Sequence, residues 1–453
     1  MHRYKYIILL IACTAVSLCG CNKFLEEKPD KKMSVPVTLA DCEALLDNQS
    51  IMNSLYPVAG EVAIDDYFLS ATDYNAVTDN VQKENYRWLS TVDVGLTQWR
   101  DPYRVVLFAN QVMQVLKNID RNIDPSRYDR LLGQAHFFRG YALFQVALVF
   151  ALPYVKNEAI QTPGVVIRTT PNVDELSVRS DLARSLNSIA TDLQEAIRLL
   201  PEKSLLVTRP SREAAMAALV RVKLYMGSFE DVVYYGKQAL AIDATLIDYN
   251  SLSSTTALPF QQFNKEVLFH ATTSPSAVLN PVIASVDTAL IAQYQPNDKR
   301  FGVYFTKRAN GTFSFKGRYD ANNNSVSFSG IARDEVYLSI AEALVRIGKL
   351  EEGIGYLNQL LITRWSTDKF VPIPLLDKDK ALDLILLERR KSLMFRNLRW
   401  MDLKRLSTED RYAKSLTREL NGQMYRLEKN DVRYAFLIPD VVIKNSSLSQ
   451  NKR

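Results

Sequence analysis

"SREAAMAALVRVKLYMGSFEDVVYYGKQALAID", residues Ser211–Asp243, reads as a helix, a tight turn at Gly227 and a second helix. Glycine ends a helix in the left-handed conformation that other residues resist. "DEVYLSIAEALVRIGKLEEGIGYLNQLL", Asp334–Leu361, does the same around Gly348. Two helix–turn–helix units of one design predict a mainly α-helical, repeat-like scaffold.

Both units resemble tetratricopeptide (TPR) helix pairs, whose repeat is about 34 residues. Ala239 and Ala341 sit at small-residue positions of that pattern. Gly236 and Gly353 depart from it, standing where larger residues or alanine are usual. Residues 244–333 separate the units, too many for adjacent tandem repeats. The resemblance implies TPR-like helical pairs forming a right-handed superhelical scaffold, with irregular loops and a few short β-strands inserted.

Working outward, "LARSLNSIATDLQEAIRLLP" places Leu182, Leu186, Ile189, Leu193, Ile197 and Leu200 three or four apart, one apolar stripe that Pro201 stops. Further helices are predicted over Ala40–Asn53, Asp101–Asn118, Tyr128–Phe150 and, as one long element, Asp379–Leu406. The stretch from about 249 to 330 differs. "EVLFHAT" (Glu266–Thr272) and "TFSFKGRY" (Thr312–Tyr319) read as short strands among loops rich in Ser, Asn and Gly. Irregular loops on a rigid helical frame are a usual place for binding residues.

The N-terminus carries its own message. "MHRYKY" is basic, and Ile7–Leu18 runs without a charge, as a secretory signal does. That run is shorter than the roughly 20 residues a membrane-spanning helix needs. Three of the four cysteines, Cys13, Cys19 and Cys21, fall here. "LCGC", Leu18–Cys21, resembles the bacterial lipobox, which implies that residues 1–20 are cleaved and that Cys21 receives a diacylglycerol thioether. Residues 21–38, charged and with two prolines, then form a lipidated tether. Residues 39–453 form a single domain that includes the insertion at about 249–330. Cys42 is left as the one free thiol, so no disulfide forms within the mature chain. No later apolar run reaches spanning length, which leaves the lipid as the membrane attachment.

The formal net charge of +6 loses Arg3 and Lys5 with the leader, and no Lys/Arg tract breaks the even distribution. Nucleic-acid binding is therefore not expected. Of the two histidines beyond the leader, His136 sits on an apolar helix and reads as structural. No nucleophile elbow, metal-spaced His/Cys cluster or phosphate loop appears. The chain is read as a non-enzyme without cofactor or metal. Glu388 with Arg389 and Asp402 with Arg405 are read as charge pairs locking two helices.

Four motifs in order carry a resemblance that spans the chain. "CNKFLEEKP" (Cys21–Pro29) opens it. Trp99, Tyr103 and Asn110 follow in "QWRDPYRVVLFANQVMQVLKNI". "ERRKSLMFRNLRWMDLKRL" supplies Glu388, Arg389, Arg390, Phe395, Arg399, Trp400, Asp402, Leu403 and Arg405. "FLIPDVVIKNSSLSQN" closes with Ile438, Pro439, Asn445, Leu448, Gln450 and Asn451. Together they resemble the SusD/RagB family of outer-membrane nutrient-binding lipoproteins. Two departures stand out: Arg396-Asn397-Leu398 replaces a usual Glu-Gly-His, and Lys452-Arg453 replaces a Pro-Gly-Tyr ending. The resemblance implies a cell-surface lipoprotein of the outer membrane, facing the exterior. It would bind oligosaccharides and pass them to a SusC-like TonB-dependent transporter. A peptide-binding lid of a peptide importer is the alternative in the same architecture. A TPR-like scaffold joining envelope proteins is the alternative from another class.

Sugars present C–H faces to rings and hydroxyls to Asp, Asn and Arg. Two patches offer that combination. Asp73, Tyr74 and Asn75 lie in the polar stretch "SATDYNAVTDN", read as a loop, with Trp88 following; Trp88 is either a stacking platform or a buried edge. Tyr294, Asn297 and Tyr304 lie in "YQPNDKRFGVYF", where Asp298 and Arg300 are read as a structural ion pair. Trp99 and Trp400 are read as core, and Trp365 is left open.

Overall fold

Helix starts are written locally. Thr38 and Asp41 close a capping box at the head of α1 (Leu39–Leu46). Predicted to run on to Asn53, this helix stops because Asn48 leaves the helical region at ψ 81°, and only the turn Gln49–Met52 follows. α2 spans Thr97–Leu116. α3 spans Pro125–Phe150, with Asp124 capping the Arg127 N–H and Pro125 in the first turn, where its missing N–H costs nothing. α4 (Leu182–Leu199) is capped by Asp181 and buries the predicted stripe from Leu182 to Leu193, with Ile197 partly buried and Leu200 buried just past the helix end. α5 (Arg212–Tyr225) and α6 (Phe229–Ile242) turn at Gly227, φ +71°. α7 (Arg333–Arg346) and α8 (Leu350–Leu361) turn at Gly348, φ +86°. α9 (Lys378–Ser392) and α10 (Arg399–Leu406) complete the long helices. The computed structural model describes residues 36–322 and 325–453. The leader, Cys21 and the tether as far as Val35 lie outside them.

Each helix from α2 to α8 packs on the next, and α9 packs on α7. The fold is mainly helical, built of TPR-like pairs. The two glycine-turned pairs were expected to be non-adjacent. The structure corrects this: α6 lies directly against α7. Val267–Phe269, inside the insertion, pairs antiparallel with Ile331–Ala332, where the chain returns to α7. The irregular glycines allow close approach on both sides of α7, Gly236 from α6 and Gly353 from α8. A β-carbon at Gly236 would stand 2.6 Å from Ile340 Cγ1, and one at Gly353 would stand 2.9 Å from the Ala341 carbonyl oxygen. Only a residue without a side chain permits such approach.

The single helix predicted over Asp379–Leu406 is two. Phe395 (φ +53°) and Asn397 (φ +57°) take left-handed conformations and break it. Between them Arg396 swings inward, donates to both Asp334 oxygens at 2.8 Å, and stacks over the Tyr319 ring at 3.4 Å. The charge pairing predicted here also changes. Arg389 donates to Asp402 at 2.9 Å, and Asp402 is shared with Arg405, which grips Glu342 of α7. Glu388 turns instead to Arg300, at 2.6 Å, and to Lys391, at 2.8 Å. The pairs therefore tie α7, α9, α10 and the insertion together. Removing one partner of such a buried pair costs about 3–5 kcal/mol, because the other charge stays buried.

Within the insertion, Phe305–Lys307 and Phe313–Phe315 form a hairpin, the latter inside the predicted Thr312–Tyr319 strand. A second hairpin, Leu416–Leu420 with Gln423–Leu427, turns at Asn421-Gly422, both at positive φ as a tight two-residue turn requires.

Candidate functional site

The first predicted patch is helix and core, not an open loop. Ser70 accepts from the Asp73 N–H and donates to Asp73 Oδ2, which starts a helix over Ala71–Ala76. Asp73 is thereby engaged in capping. Asn75 exchanges hydrogen bonds with Asn421 at the hairpin tip. Tyr74 is buried, 6.0 Å from the Tyr86 ring, with Lys83 over its face at 4.9 Å. Trp88 is only 3% exposed. Its indole N–H donates to the Ala63 carbonyl at 2.9 Å, and the Arg418 guanidinium covers its ring at 4.7 Å. An indole with both its donor and its face occupied is not a platform for a ligand, so the buried-edge reading of Trp88 holds.

The second patch divides. Tyr304 is buried, its hydroxyl 2.9 Å from that of Tyr249 and donating to the Ser392 carbonyl at 3.1 Å. Tyr294 and Asn297 both line a cleft of about 480 Å³. The Tyr294 hydroxyl donates to the Lys391 carbonyl at 2.8 Å, which fixes the half-buried ring in the wall. Phe301, 38% exposed, lies beside it with ring centroids 6.5 Å apart. Gln295, Lys299, Ser254 and Ser366 complete the polar lining.

The floor of this cleft is a closed charge cluster. Arg300 grips Asp298 through Nε (2.9 Å) and Nη2 (2.6 Å), and Lys391 adds a third contact at 3.1 Å. Burial alone would raise the Asp298 carboxyl; the Arg300 guanidinium and the Lys391 ammonium outweigh it and hold the group below its usual range. The predicted Asp298–Arg300 ion pair is thus present and fully buried. Phe301, Lys299 and Gln295 were missed in the sequence, although they flank Asn297 on both sides.

A second cleft, of about 560 Å³, lies among Val58, Asn85, Gln98, Thr97, Arg100 and Ser274. Gln98 accepts from the Val58 and Ala59 N–H groups and donates to Ser274. Asn85 donates to the Ala59 carbonyl, while its buried Oδ1 makes no hydrogen bond among the described residues. Leu55, at the rim, holds φ +63°. No aromatic ring lines this cleft, so it offers hydrogen bonds without a stacking face.

Other predicted structural residues stand as expected. His136 Nδ1 lies 2.8 Å from Asp192, which Arg139 also grips. Trp99 and Trp400 are buried. Trp365, left open, is partly buried against Phe370, with centroids 5.9 Å apart.

Comparison with known families decides what this frame is. The family described as "Starch-binding associating with outer membrane" matches residues 23–224, and the SusD family matches residues 284–447. The chain belongs to the SusD/RagB family. A SusD superfamily protein of Bacteroides thetaiotaomicron superposes with a TM-score of 0.74 at 21% identity, over 92% of this chain and 100% of that one. A SusD-like carbohydrate binding protein of Bacteroides vulgatus gives 0.67 at 18%, over 90% and 97%. A laminarin binding SusD-like protein gives 0.64 at 17%, over 91% and 98%. These likenesses establish the SusD fold. A comparison with curated proteins returned no match. SusD-family proteins bind their ligands rather than transform them, and the family associates with the outer membrane. Among the described residues no helix is long and apolar enough to cross a membrane.

Proposed function

We propose that this SusD-family protein captures oligosaccharides at the cell surface. In this reading it is held in the outer membrane through lipid on Cys21, and it passes its cargo to a SusC-like TonB-dependent transporter. The observation that carries the reading is the cleft beside the insertion. There a half-exposed Phe301 ring and the fixed Tyr294 ring stand next to the amides of Asn297 and Gln295. Rings beside planar hydrogen-bonding groups suit a sugar, whose two faces are apolar C–H and polar O–H. The family's carbohydrate-binding character and the laminarin-binding neighbour support the same ligand class.

The test is a glycan array run beside a peptide pull-down, with protein beginning at Asn22. Retention on immobilised oligosaccharide, reversed by the same sugar in solution, is the expected outcome. Retention on peptides alone overturns the carbohydrate reading.

A further inference from the structure

Two clefts in the insertion carry charge of one sign where a ligand can reach it. In the cleft described above the sole carboxylate is Asp298, and it is spent on Arg300 and Lys391. Its side chain has no exposure, so it cannot accept from a sugar hydroxyl. What remains is Lys299, together with the Asn297 and Gln295 amides and the Ser254 and Ser366 hydroxyls.

The loop of residues 251–256 lines a further cleft, of about 400 Å³, through Ser251, Leu252 and Ser253. Its polar lining repeats the composition: Gln261, Asn264 and one charged residue, Lys265. Lys316 clamps the intervening loop by donating to the Ser254 and Thr256 carbonyls. Asp248, at the head of the loop, has Oδ1 engaged by both the N–H and the side-chain amide of Asn250. Neither Lys299 nor Lys265 takes part in a salt bridge among the described residues.

We infer that these two clefts bind an acidic glycan, one bearing carboxylate or sulfate groups, with Lys299 and Lys265 each taking an anionic substituent. The inference rests on the carbohydrate reading and sharpens it. A site for neutral sugar needs acceptors for hydroxyl protons, and carboxylates are the strongest of these. Here the accessible lining holds amides and hydroxyls, which both donate and accept, but its only free charges are ammonium groups, with no free carboxylate to balance them. An anion accepts from all of these donors at once. A ligand with charges along its length engages both clefts across the loop they share.

The experiment uses protein beginning at Asn22, with oligogalacturonate, its methyl ester, chondroitin sulfate, maltoheptaose and laminariheptaose as probes. Titration is run on the wild type, on Lys299→Gln and on Lys265→Gln/Lys299→Gln. Melting temperature serves as the fold control. The expected result is binding of an acidic probe that weakens with salt, and no binding of the methyl ester. Loss of one charge-assisted contact lowers affinity roughly tenfold in Lys299→Gln and further in the double variant. Binding of the neutral probes or the ester as tight as that of the acidic ones overturns the inference and leaves the carbohydrate reading standing. Acidic binding indifferent to both lysines also overturns it, because the anion then sits elsewhere. Binding of none of the five glycans overturns both.

Discussion

Gly236 on α6 faces Ile340 on α7 so closely that a β-carbon there would stand 2.6 Å from Cγ1 and 2.9 Å from Cδ1. This one absent side chain joins two helical pairs that the sequence holds far apart. Ile340 is fully buried and has nowhere to retreat.

Gly236→Ala is therefore expected to destabilise the fold by about 1–3 kcal/mol through overpacking, despite a helix-propensity gain of about 1 kcal/mol. Urea denaturation measures the change. Ile340→Ala opens the opposing space, so the double variant should lose less than the two single losses combined. Strict additivity would show that the two residues do not press on each other.

Trp88→Ala is expected to cost about 3–5 kcal/mol of stability, the loss for a buried large aromatic. Its folded fraction should keep wild-type affinity for any glycan found. Melting and titration of the same sample separate the two effects. A weakened affinity at unchanged melting temperature would restore Trp88 to the site.

Phe301→Ala should behave in the opposite way. Its ring is partly open at the cleft, so affinity is expected to fall by about 1 kcal/mol, roughly fivefold, with little change in melting. Asn297→Ala should weaken binding similarly. Titration calorimetry of both variants reads the effect, and unchanged affinity in the pair would move the ligand away from this cleft.

Glu61 gives the fold a dependence on pH. Burial pushes its carboxyl up to about 8, with Asp66 adding to the rise and the Asn397 backbone N–H opposing it. In the unfolded chain a glutamate loses its proton near 4.3. Between those two values the folded state holds a proton that the unfolded state has released. Stability is fully present below the unfolded value and falls as pH rises towards 8. The fall is on the order of a few kcal/mol. Glu61→Gln should remove this slope, so the variant gains on the wild type from pH 5 to pH 8 in paired denaturation curves. Parallel curves would mean that Glu61 ionises normally.

Cys21→Ala tests the anchor. The lipobox spacing of Leu18–Cys21 predicts that it abolishes labelling by a palmitate analogue and releases the protein from membranes. Persistent labelling of the variant would remove the lipoprotein reading.

What could be read in the sequence was what the chain decides within one turn or one helix. The α4 stripe from Leu182 to Leu193 and the left-handed turns at Gly227 and Gly348 depend on neighbours a few residues away, and they appear where periodicity puts them. Asn421-Gly422 is an equally local hairpin signal, present in the sequence though passed over. Trp88 was ambiguous because its fate rests on Arg418 and Ala63, which no local pattern brings near. The break after α9 escaped for the same reason: the positive φ of Phe395 and Asn397 goes with partners distant in sequence, Phe315 for Phe395, Pro57 for Asn397 and Asp334 for the intervening Arg396. In the cleft, Tyr294 and Asn297 could be picked out by residue type. Whether Tyr304, a few residues on, faced the cleft or the core depended on Tyr249 and Ser392.

The buried cluster of Arg300, Asp298, Glu388 and Lys391 bears on the kinetics of exchange. It bolts the cleft floor to α9, so an arriving ligand meets walls already in position and the order lost on binding is mostly the ligand's own. Residence time is then set by the few contacts at the rim. In the proposed role of passing cargo to a transporter, a rigid berth held by few rim contacts favours fast turnover over long retention.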